Sequence, residues 1–307
     1  MPLSPAPTLS GDLLTISRFL SNPTMLQRRL RTFQDLRFVS DQILTQRFRS
    51  TGGAVLYEMS ESQLTDRTVE AVSAGSSYPF ANLPTGTAAL AAIAKWGQKV
   101  RLTDEEITRN AYGGAAVDRA LGKVINGIIK QVDTITMSAA ASAITANAAA
   151  VASWKTSPAT AKPLTDLLLA KAAIVGLNLG YNPDTVVLSD EAYVYLMTND
   201  AVAQLRQRET TTNPVYSGQI ENIAGLKIIV TPNLPVATTA IVLDSTQLGG
   251  MADEMDGAPG YAVADLAVQT KAIRLDDRDA WDLQARRKTV PVVQEPGAGY
   301  RITGVTA

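Results

Sequence analysis

A chain of 307 residues in which 46% are hydrophobic is long enough for about two domains and apolar enough for a sizeable core, so it is not a disordered protein. It has no cysteine and no histidine, which excludes disulfides, thiolate metal sites and every mechanism that depends on imidazole. The net charge of −1, with no signal peptide and no apolar run long enough to span a membrane, gives no general reason to expect a nucleic-acid or membrane protein. We therefore expect no cofactor, no bound metal ion and no enzymatic activity.

The first fifty residues are predicted to form an extended and locally basic arm. Residues 1–22 are rich in proline, serine and threonine, which favours an extended segment. From Thr24 to Arg49 apolar residues recur at partial helical spacing, and residues 1–50 carry seven arginines against three aspartates. This pattern predicts a helical arm with an apolar and a basic side; an ordinary surface helix with a solvated charged face fits it equally well.

Residues 52–97 are predicted to form a long two-stranded excursion. Alternating side chains in AVLYEMSES and QLTDRTVEAV are typical of strands, and the glycines and prolines of SAGSSYPFANLPTG mark turns. The chain is expected to return to the body of the protein at Ile93–Leu102. Because a two-stranded ribbon is only marginally stable alone in water, this one implies a partner surface.

The segment from Thr103 to Met137 is predicted to be one long amphipathic helix, the spine of the protein. Thr103 followed by Glu106 is a capping-box pattern, and a helix of about 34 residues at 1.5 Å each is longer than a compact domain needs. Gly113 and Gly114 interrupt the pattern at a cost of about 1 kcal/mol each, which close packing or a bend in the spine would explain. Most charged residues of this segment, including Asp133, should lie off its apolar stripe. The predicted stripe consists of Ile107, Ala111, Val117, Leu121, Val124, Ile128, Val132 and Ile135.

After the spine the sequence predicts an α/β layer and then a long antiparallel ribbon. The ribbon follows from alternation between residues 264 and 292, interrupted by RLDDRD, with a final strand at YRITGV. The layer consists of a helix at Leu164–Asn178, a buried strand at Thr185–Leu188, a helix from Ser189 or Asp190, and strands at Leu226–Thr231 and Thr239–Asp244.

Known signatures of catalysis and ligand binding are missing. The sequence has no phosphate-binding loop and no nucleophile elbow, and the carboxylates of residues 249–260 do not have the spacing of a calcium loop. The alternating charges from Arg274 to Asp279 favour ion pairing within or between subunits over catalysis. The arginines of the arm lack interleaved aromatic residues, so at most a sequence-independent contact with phosphates is expected there.

The order of the predicted elements resembles the major capsid proteins of tailed bacteriophages, which have the Hong Kong 97 fold. KVRLTDEEITRNA resembles the entry to the spine helix of that family, and NPDTVVLSDEAYVYL and IAGLKIIVTPNLPVATTAIVLD resemble its axial domain. RDAWDLQARRKTVPVVQEPGAGYRITG resembles its closing peripheral strands. The resemblance covers nearly the whole chain. It consists of the general sequence character and the order of the elements, and it contains no fixed motif.

The resemblance implies an α+β, Hong Kong 97-like capsid fold and a structural function. Such proteins assemble as hexamers and pentamers into an icosahedral shell of the virion, formed in the cytoplasm of the host bacterium around double-stranded DNA held by non-specific contacts. Separate scaffolding, portal and decoration proteins are further expected partners, and no membrane is involved. The implied parts are an N-terminal arm at 1–51, an extended loop at 52–97, a peripheral domain with the spine at 98–140 and 264–307, and an axial domain at 141–263.

The family also implies where subunits meet. Its arm and extended loop reach over neighbouring subunits, and in some relatives a loop lysine forms an isopeptide crosslink, which we do not expect here because residues 1–94 contain no lysine. Gly113 and Gly114 are candidates for a bend of the spine, because shells of this kind change shape as they mature. The candidates for contacts between subunits are Arg28, Arg29, Arg31, Arg37, Tyr57, Arg67, Glu70, Arg274, Asp276, Asp277, Arg278, Asp279, Arg286 and Arg287.

Two other functions fit the sequence less closely. An encapsulin-like shell of a cellular compartment would share the fold and enclose a protein cargo, and sequence texture alone does not separate it from a phage capsid. A soluble α+β enzyme is the second alternative, and the missing histidines and motifs weigh against it.

Overall fold

The computed structural model describes residues 38–60, 64–109, 113–156, 160–200, 202, 222–255, 259–263 and 267–307. The helices are α1 (Ser40–Ile43), α2 (Asp104–Arg109), α3 (Gly113–Ala143), α4 (Pro163–Val175) and α5 (Asp190–Thr198), with a short 3-10 turn at Pro296–Ala298. The strands are β1 (Gln46–Ser50), β2 (Ala54–Met59), β3 (Thr87–Ala92), β4 (Ala94–Thr103), β5 (Asn147–Ala149), β6 (Thr185–Leu188), β7 (Asn222–Ile223), β8 (Leu226–Val230), β9 (Ala240–Leu243), β10 (Gly249–Glu254), β11 (Ala262–Val263), β12 (Val268–Leu275), β13 (Ala280–Val293) and β14 (Gly299–Thr303).

The described residues form two compact units. Those of the first unit lie within Lys95–Ile129 and Met255–Lys288. Those of the second lie within Phe38–Ala94, Lys130–Glu254 and Thr289–Ala307. The helix α3 and the strand β13 each begin in the first unit and end in the second.

An antiparallel sheet forms the first unit. β12 pairs with β13 from Val268 opposite Arg287 to Leu275 opposite Ala280, and residues 276–279 form the turn between them. β4 pairs with the other side of β13, and β11 pairs with β12. The predicted antiparallel ribbon is therefore confirmed. One face of the sheet packs against α3 through the buried residues Leu102, Val117, Ala120, Leu121 and Leu283.

The predicted start of the spine is confirmed in detail. The backbone N–H of Glu106 donates to the hydroxyl of Thr103 at 3.3 Å, and the backbone N–H of Thr103 donates to the carboxylate of Glu106 at 3.2 Å. These two bonds are the reciprocal pair of a capping box. The helical prediction holds for 104–109 and from 113 onward, but its end at Met137 was placed too early, since α3 continues through an alanine-rich turn to Ala143.

The apolar stripe of α3 is buried as predicted at Val117, Leu121, Val124, Ile128 and Val132. Asp133, expected on the polar side, is buried as well, so that part of the prediction was wrong.

A helix N-terminus explains the burial of Asp133. Its carboxylate accepts hydrogen bonds from the backbone N–H groups of Ser40, at 2.9 Å, and Val39, at 3.4 Å, at the start of α1. Those amides have no partner within α1 itself. Burial raises the pKa of Asp133 above its ordinary value, against the opposite effect of the two amides.

The second unit contains a six-stranded sheet in the order β5, β14, β9, β6, β8, β7. The central strand β6 runs parallel to β8 and antiparallel to β9, and every residue of β6 and β9 is buried. The hydroxyl of Ser189 accepts the backbone N–H of Ala192 at 3.3 Å and begins α5. The predicted α/β layer is confirmed, with α4 ending three residues earlier than expected, at Val175.

The helical prediction for Thr24–Arg49 holds for the single turn α1 (Ser40–Ile43) and is wrong from Gln46 onward. Residues 46–50 form the strand β1, which lies parallel to β10, and residues 24–37 lie outside the described part of the chain. Gly250 permits the close approach, because a Cβ at this position would lie 2.3 Å from the carbonyl oxygen of Gln46. A partner strand 200 residues away in sequence thus overrides the local helical pattern.

The excursion is confirmed as a hairpin but with a different second strand. β2 pairs with β3, from Ala54 opposite Ala92 to Met59 opposite Thr87. No strand occurs in residues 64–86, so the strand predicted within QLTDRTVEAV was wrong. Its alternating side chains have no neighbouring strand to complete the hydrogen bonds that a strand needs.

Candidate assembly surfaces

The hairpin of β2 and β3 leaves one apolar face in water. Leu56 lies opposite Leu90 across the two strands, and these side chains are 73% and 70% exposed. Glu58, two residues along β2, points to the same face and is exposed. Within the described residues no third strand joins this pair, and the face has no cover. Exposed apolar surface of this kind marks a contact with another molecule.

The loop beyond the hairpin, residues 64–86, extends this surface. Val69 is fully exposed, and Tyr78, Phe80 and Leu83 each have more than four fifths of their surface in water. Aromatic side chains such as Tyr78 and Phe80 are enriched at protein interfaces. The predicted partner surface of the excursion therefore has specific candidates for its anchors.

The exposed loop is closed by a clasp between Asp66 and Asn82. The backbone N–H of Asn82 donates to one oxygen of the Asp66 carboxylate at 2.8 Å, and the Asn82 side-chain amide donates to the other at 2.7 Å. The sequence did not predict the hydrogen bonds between Asp66 and Asn82. Two polar residues on either side of a turn-rich segment are too common to predict a contact across sixteen positions.

One face of the first unit is cationic. Alternate residues of β4, namely Lys95, Lys99 and Arg101, lie opposite to the core residues Val100 and Leu102 of the same strand. β13 adds Arg286 and the next strand, β12, adds Lys271; the register pairs Arg286 with Gln269 and Lys271 with Gln284, so the two cations are diagonal neighbours on one face. Five cations on one open face contrast with the nearly neutral chain as a whole.

A cavity of about 230 Å³ opens on this face. The guanidinium of Arg286 lies 3.8 Å from the centre of the Tyr261 ring, and its Nε donates to the side-chain oxygen of Gln269 at 2.7 Å. Gly97 forms part of the wall, where a Cβ would lie 2.9 Å from the carbonyl oxygen of Ala285. The cavity is lined by Lys95, Gly97, Gln98, Lys99, Tyr261, Gln284, Ala285 and Arg286.

Asp282 supplies a carboxylate beside this cavity and is already engaged. Arg101 donates to both of its oxygens, at 2.7 and 3.1 Å, and Lys99 donates at 3.1 Å. The hydrogen bonds from Arg101, with the added contribution of Lys99, lower the pKa of Asp282 to about 2. Asp282 thus neutralises part of the face from within. Lys271 donates to the carbonyl oxygen of Pro259 at 3.3 Å, and Lys95 remains exposed.

The charged cluster from Arg274 to Asp279 pairs within the chain. Arg274 donates to both carboxylate oxygens of Asp104 at 2.7 Å and lies 3.2 Å from Asp276 and 3.5 Å from Asp279. The hydrogen bonds from Arg274 lower the pKa of Asp104. This arrangement ties the turn after β12 to the start of α2.

The contact candidates from the sequence fall into three groups. Arg28, Arg29, Arg31 and Arg37 lie outside the described residues. Arg287 has no exposed surface and was a wrong candidate, because β13 turns its side chain inward. The remaining candidates are wholly or partly accessible: Tyr57, Arg67, Glu70, Arg274, Asp276, Asp277, Arg278, Asp279 and Arg286.

The described residues carry neither a metal cluster nor a membrane-spanning helix. They contain no group of three or more potential metal ligands. Residues 249–254, whose carboxylates raised the question of calcium, form the strand β10. None of the described helices has the length and hydropathy required to cross a bilayer.

Comparisons with known proteins point in one direction. A family model described as phage capsid protein matches residues 86–302, whereas no curated protein matches the chain. A phage-related protein from Bordetella bronchiseptica RB50 is 12% identical, with 92% of this chain and 97% of that chain covered and a TM-score of 0.64. The capsid of cyanophage P-SCSP1u is 14% identical, with 84% and 85% covered and a TM-score of 0.62. A virus-like particle from Pyrococcus furiosus is 14% identical, with 89% and 95% covered and a TM-score of 0.58.

Removing the clasp should loosen the exposed loop. We expect Asp66→Ala to increase chymotryptic cleavage after Phe80 about fivefold in dissociated subunits, because the lost hydrogen bonds are worth about 1 kcal/mol. Glu70→Ala is the control, since it removes an exposed pair with Arg67 that should contribute less. Equal cleavage rates in the two variants would show that the clasp does not hold the loop.

The ion pairs of Asp282 should make stability depend on acid. Its folded pKa of about 2 lies below the ordinary value, so its contribution is complete above about pH 4 and is lost as the pH falls toward 2. Asp282→Asn should therefore lower the free energy of unfolding of the subunit by about 1–2 kcal/mol at pH 7 and by nearly nothing at pH 2. Denaturant titrations at both pH values measure this difference, with the exposed Asp277→Asn as control. A pH-independent difference would contradict the assignment.

Proposed function

The chain belongs to the phage capsid protein family, and we propose that its copies assemble as hexamers and pentamers into an icosahedral shell that encloses double-stranded DNA. The family match, which covers residues 86–302 from the second strand of the hairpin to the last strand of the chain, is the observation that carries this proposal. The chain is a major capsid protein with a Hong Kong 97-like fold and forms a homo-oligomeric shell of the virion. That membership implies a structural rather than an enzymatic role.

The exposed hairpin supports the proposal at the level of residues. Leu56, Leu90 and Phe80 present apolar surface that nothing in the described part of the same chain covers. A shell of identical subunits provides such a cover once per copy, because each subunit offers both a projecting element and the surface that receives it. We therefore propose that the hairpin and its loop lie on a neighbouring subunit in the shell.

The finer division of the chain also remains our proposal. It assigns residues 1–51 to an arm, 52–97 to the extended loop, 98–140 and 264–307 to the peripheral domain, and 141–263 to the axial domain. The accessible candidates named above, with the four arginines of the arm, are proposed for contacts between subunits. Gly113 and Gly114, which begin α3, are proposed as a bend of the spine; normal maturation with alanine at both positions would count against it.

Further partners follow from the life cycle of such a shell. We propose assembly in the cytoplasm of a host bacterium, with scaffolding, portal and decoration functions supplied by separate proteins. Contact with packaged DNA is proposed to be independent of sequence, through phosphate groups alone. The likeness to the Pyrococcus furiosus particle concerns the fold, and no observation favours a cellular compartment over a phage capsid.

Self-assembly of the purified protein tests the proposal. We expect wild-type protein to form closed shells visible by electron microscopy, in equilibrium with capsomers in sedimentation experiments. Leu56→Ser with Leu90→Ser should leave the subunit folded, because both side chains are exposed, but should raise the concentration needed for assembly. A wild-type protein that remains a monomer or small oligomer under all assembly conditions would contradict the proposed function.

A further inference from the structure

The hairpin and the cationic face carry opposite charges. Residues 52–94 contain four acidic residues and one arginine, with no lysine. The open face of the first unit carries five cations, and Asp282 beside them is already saturated by Arg101 and Lys99. Charge complementarity of this kind selects partners and sets the register of an interface.

Glu61 lies outside the described residues, and of the three carboxylates that the structure describes here Glu58 is the one available to a partner. Asp66 is held by Asn82, and Glu70 is paired with Arg67 at 3.0 Å. Glu58 is exposed and makes no hydrogen bond or ion pair with any described residue. It lies beside Leu56 on the apolar face of the hairpin, so a surface that covers the leucine must also receive this charge.

The cavity on the cationic face has the chemistry to receive it. Lys95 at its edge makes no hydrogen bond or ion pair with the described residues, and Arg286 is held in place by Gln269 and the ring of Tyr261. Lysines on an edge strand such as β4 also prevent edge-to-edge pairing. That role does not explain Arg286 and Lys271, because β13 and β12 have neighbours on both sides.

We propose that Glu58 of one copy enters the cavity between Lys95 and Arg286 of a second copy. This inference rests on the proposed function and names the surface that receives the hairpin. The cavity of about 230 Å³ holds one carboxylate side chain, and the Tyr261 ring at its wall offers apolar surface to the adjoining leucines. The contact joins different surfaces of the two copies, so it is heterologous and propagates around a ring.

A charge swap tests the pair. We expect Glu58→Lys and Lys95→Glu, each alone, to raise the subunit concentration at which shells form by at least about tenfold, because like charges then meet at the contact. The variant that carries both changes should assemble near the wild-type concentration. Lys123→Glu, an exposed charge reversal on α3, is the matched control and should assemble as wild type. Light scattering measures assembly, and circular dichroism confirms that each subunit is folded.

The neutral variants Glu58→Gln and Lys95→Gln keep the test valid if a reversed charge disturbs folding. For each of them we expect a smaller increase in the subunit concentration at which shells form, and a weaker dependence of that concentration on salt. The inference is overturned if the single reversals assemble as wild type or if the swap restores nothing. It is equally overturned if Lys95→Glu shells form normally but retain less duplex DNA, since the face would then serve nucleic acid. Wild-type protein that never assembles would instead overturn the proposed function and this inference with it.

Discussion

A two-stranded antiparallel ribbon has no interior, and its apolar side chains stay in water until another surface covers them. In this protein that constraint falls on β2 and β3, where Leu56 and Leu90 face each other in solvent. Burying a large aliphatic side chain contributes about 1.5–3 kcal/mol of favourable free energy, and the isolated chain leaves both leucines of the hairpin exposed. We propose that assembly into a shell covers these side chains. The two hydrogen bonds between Asp66 and Asn82 close the loop that joins the strands.

The first unit offers a surface suited to that role. Its sheet uses one face for the core against α3, through residues such as Leu283 and Val117, and leaves the other face open. Alternation along the strands places the cations on the open face. Gly97 lets β4 approach β13 closely, and Asp282 fixes Arg101 and Lys99 from below. The result is a positively charged face with a cavity, in a chain whose net charge is near zero.

Local patterns predicted local structure well. The capping box of Thr103 and Glu106, the buried strand Thr185–Leu188 and the helix that starts at Asp190 each depend on a few neighbouring residues, and all three occur as expected. The ribbon of β12 and β13 was predictable because its strands are consecutive and strictly alternating. The order of the predicted elements carried the family resemblance, and the resemblance in turn implied the capsid function.

Long-range pairing was not predictable from such patterns. The strand β1 depends on β10, some 200 residues away, and β3 is an alanine-rich segment whose composition favours a helix. The burial of Asp133 was not predictable, because the backbone amides that donate to its carboxylate come from a distant part of the chain. The clasp, the cavity and the burial of Arg287 likewise arise only when strands meet in a particular register.

We propose above all that another copy of the chain covers the hairpin of β2 and β3. Hydrogen exchange of residues 54–92, compared between dissociated subunits and assembled shells, measures this cover directly. Amides of β2, β3 and the loop should exchange at least about tenfold more slowly in shells, while those of the buried strands β6 and β9 should change little. Equal exchange of the hairpin in the two states would show that assembly leaves it in solvent and would contradict the account.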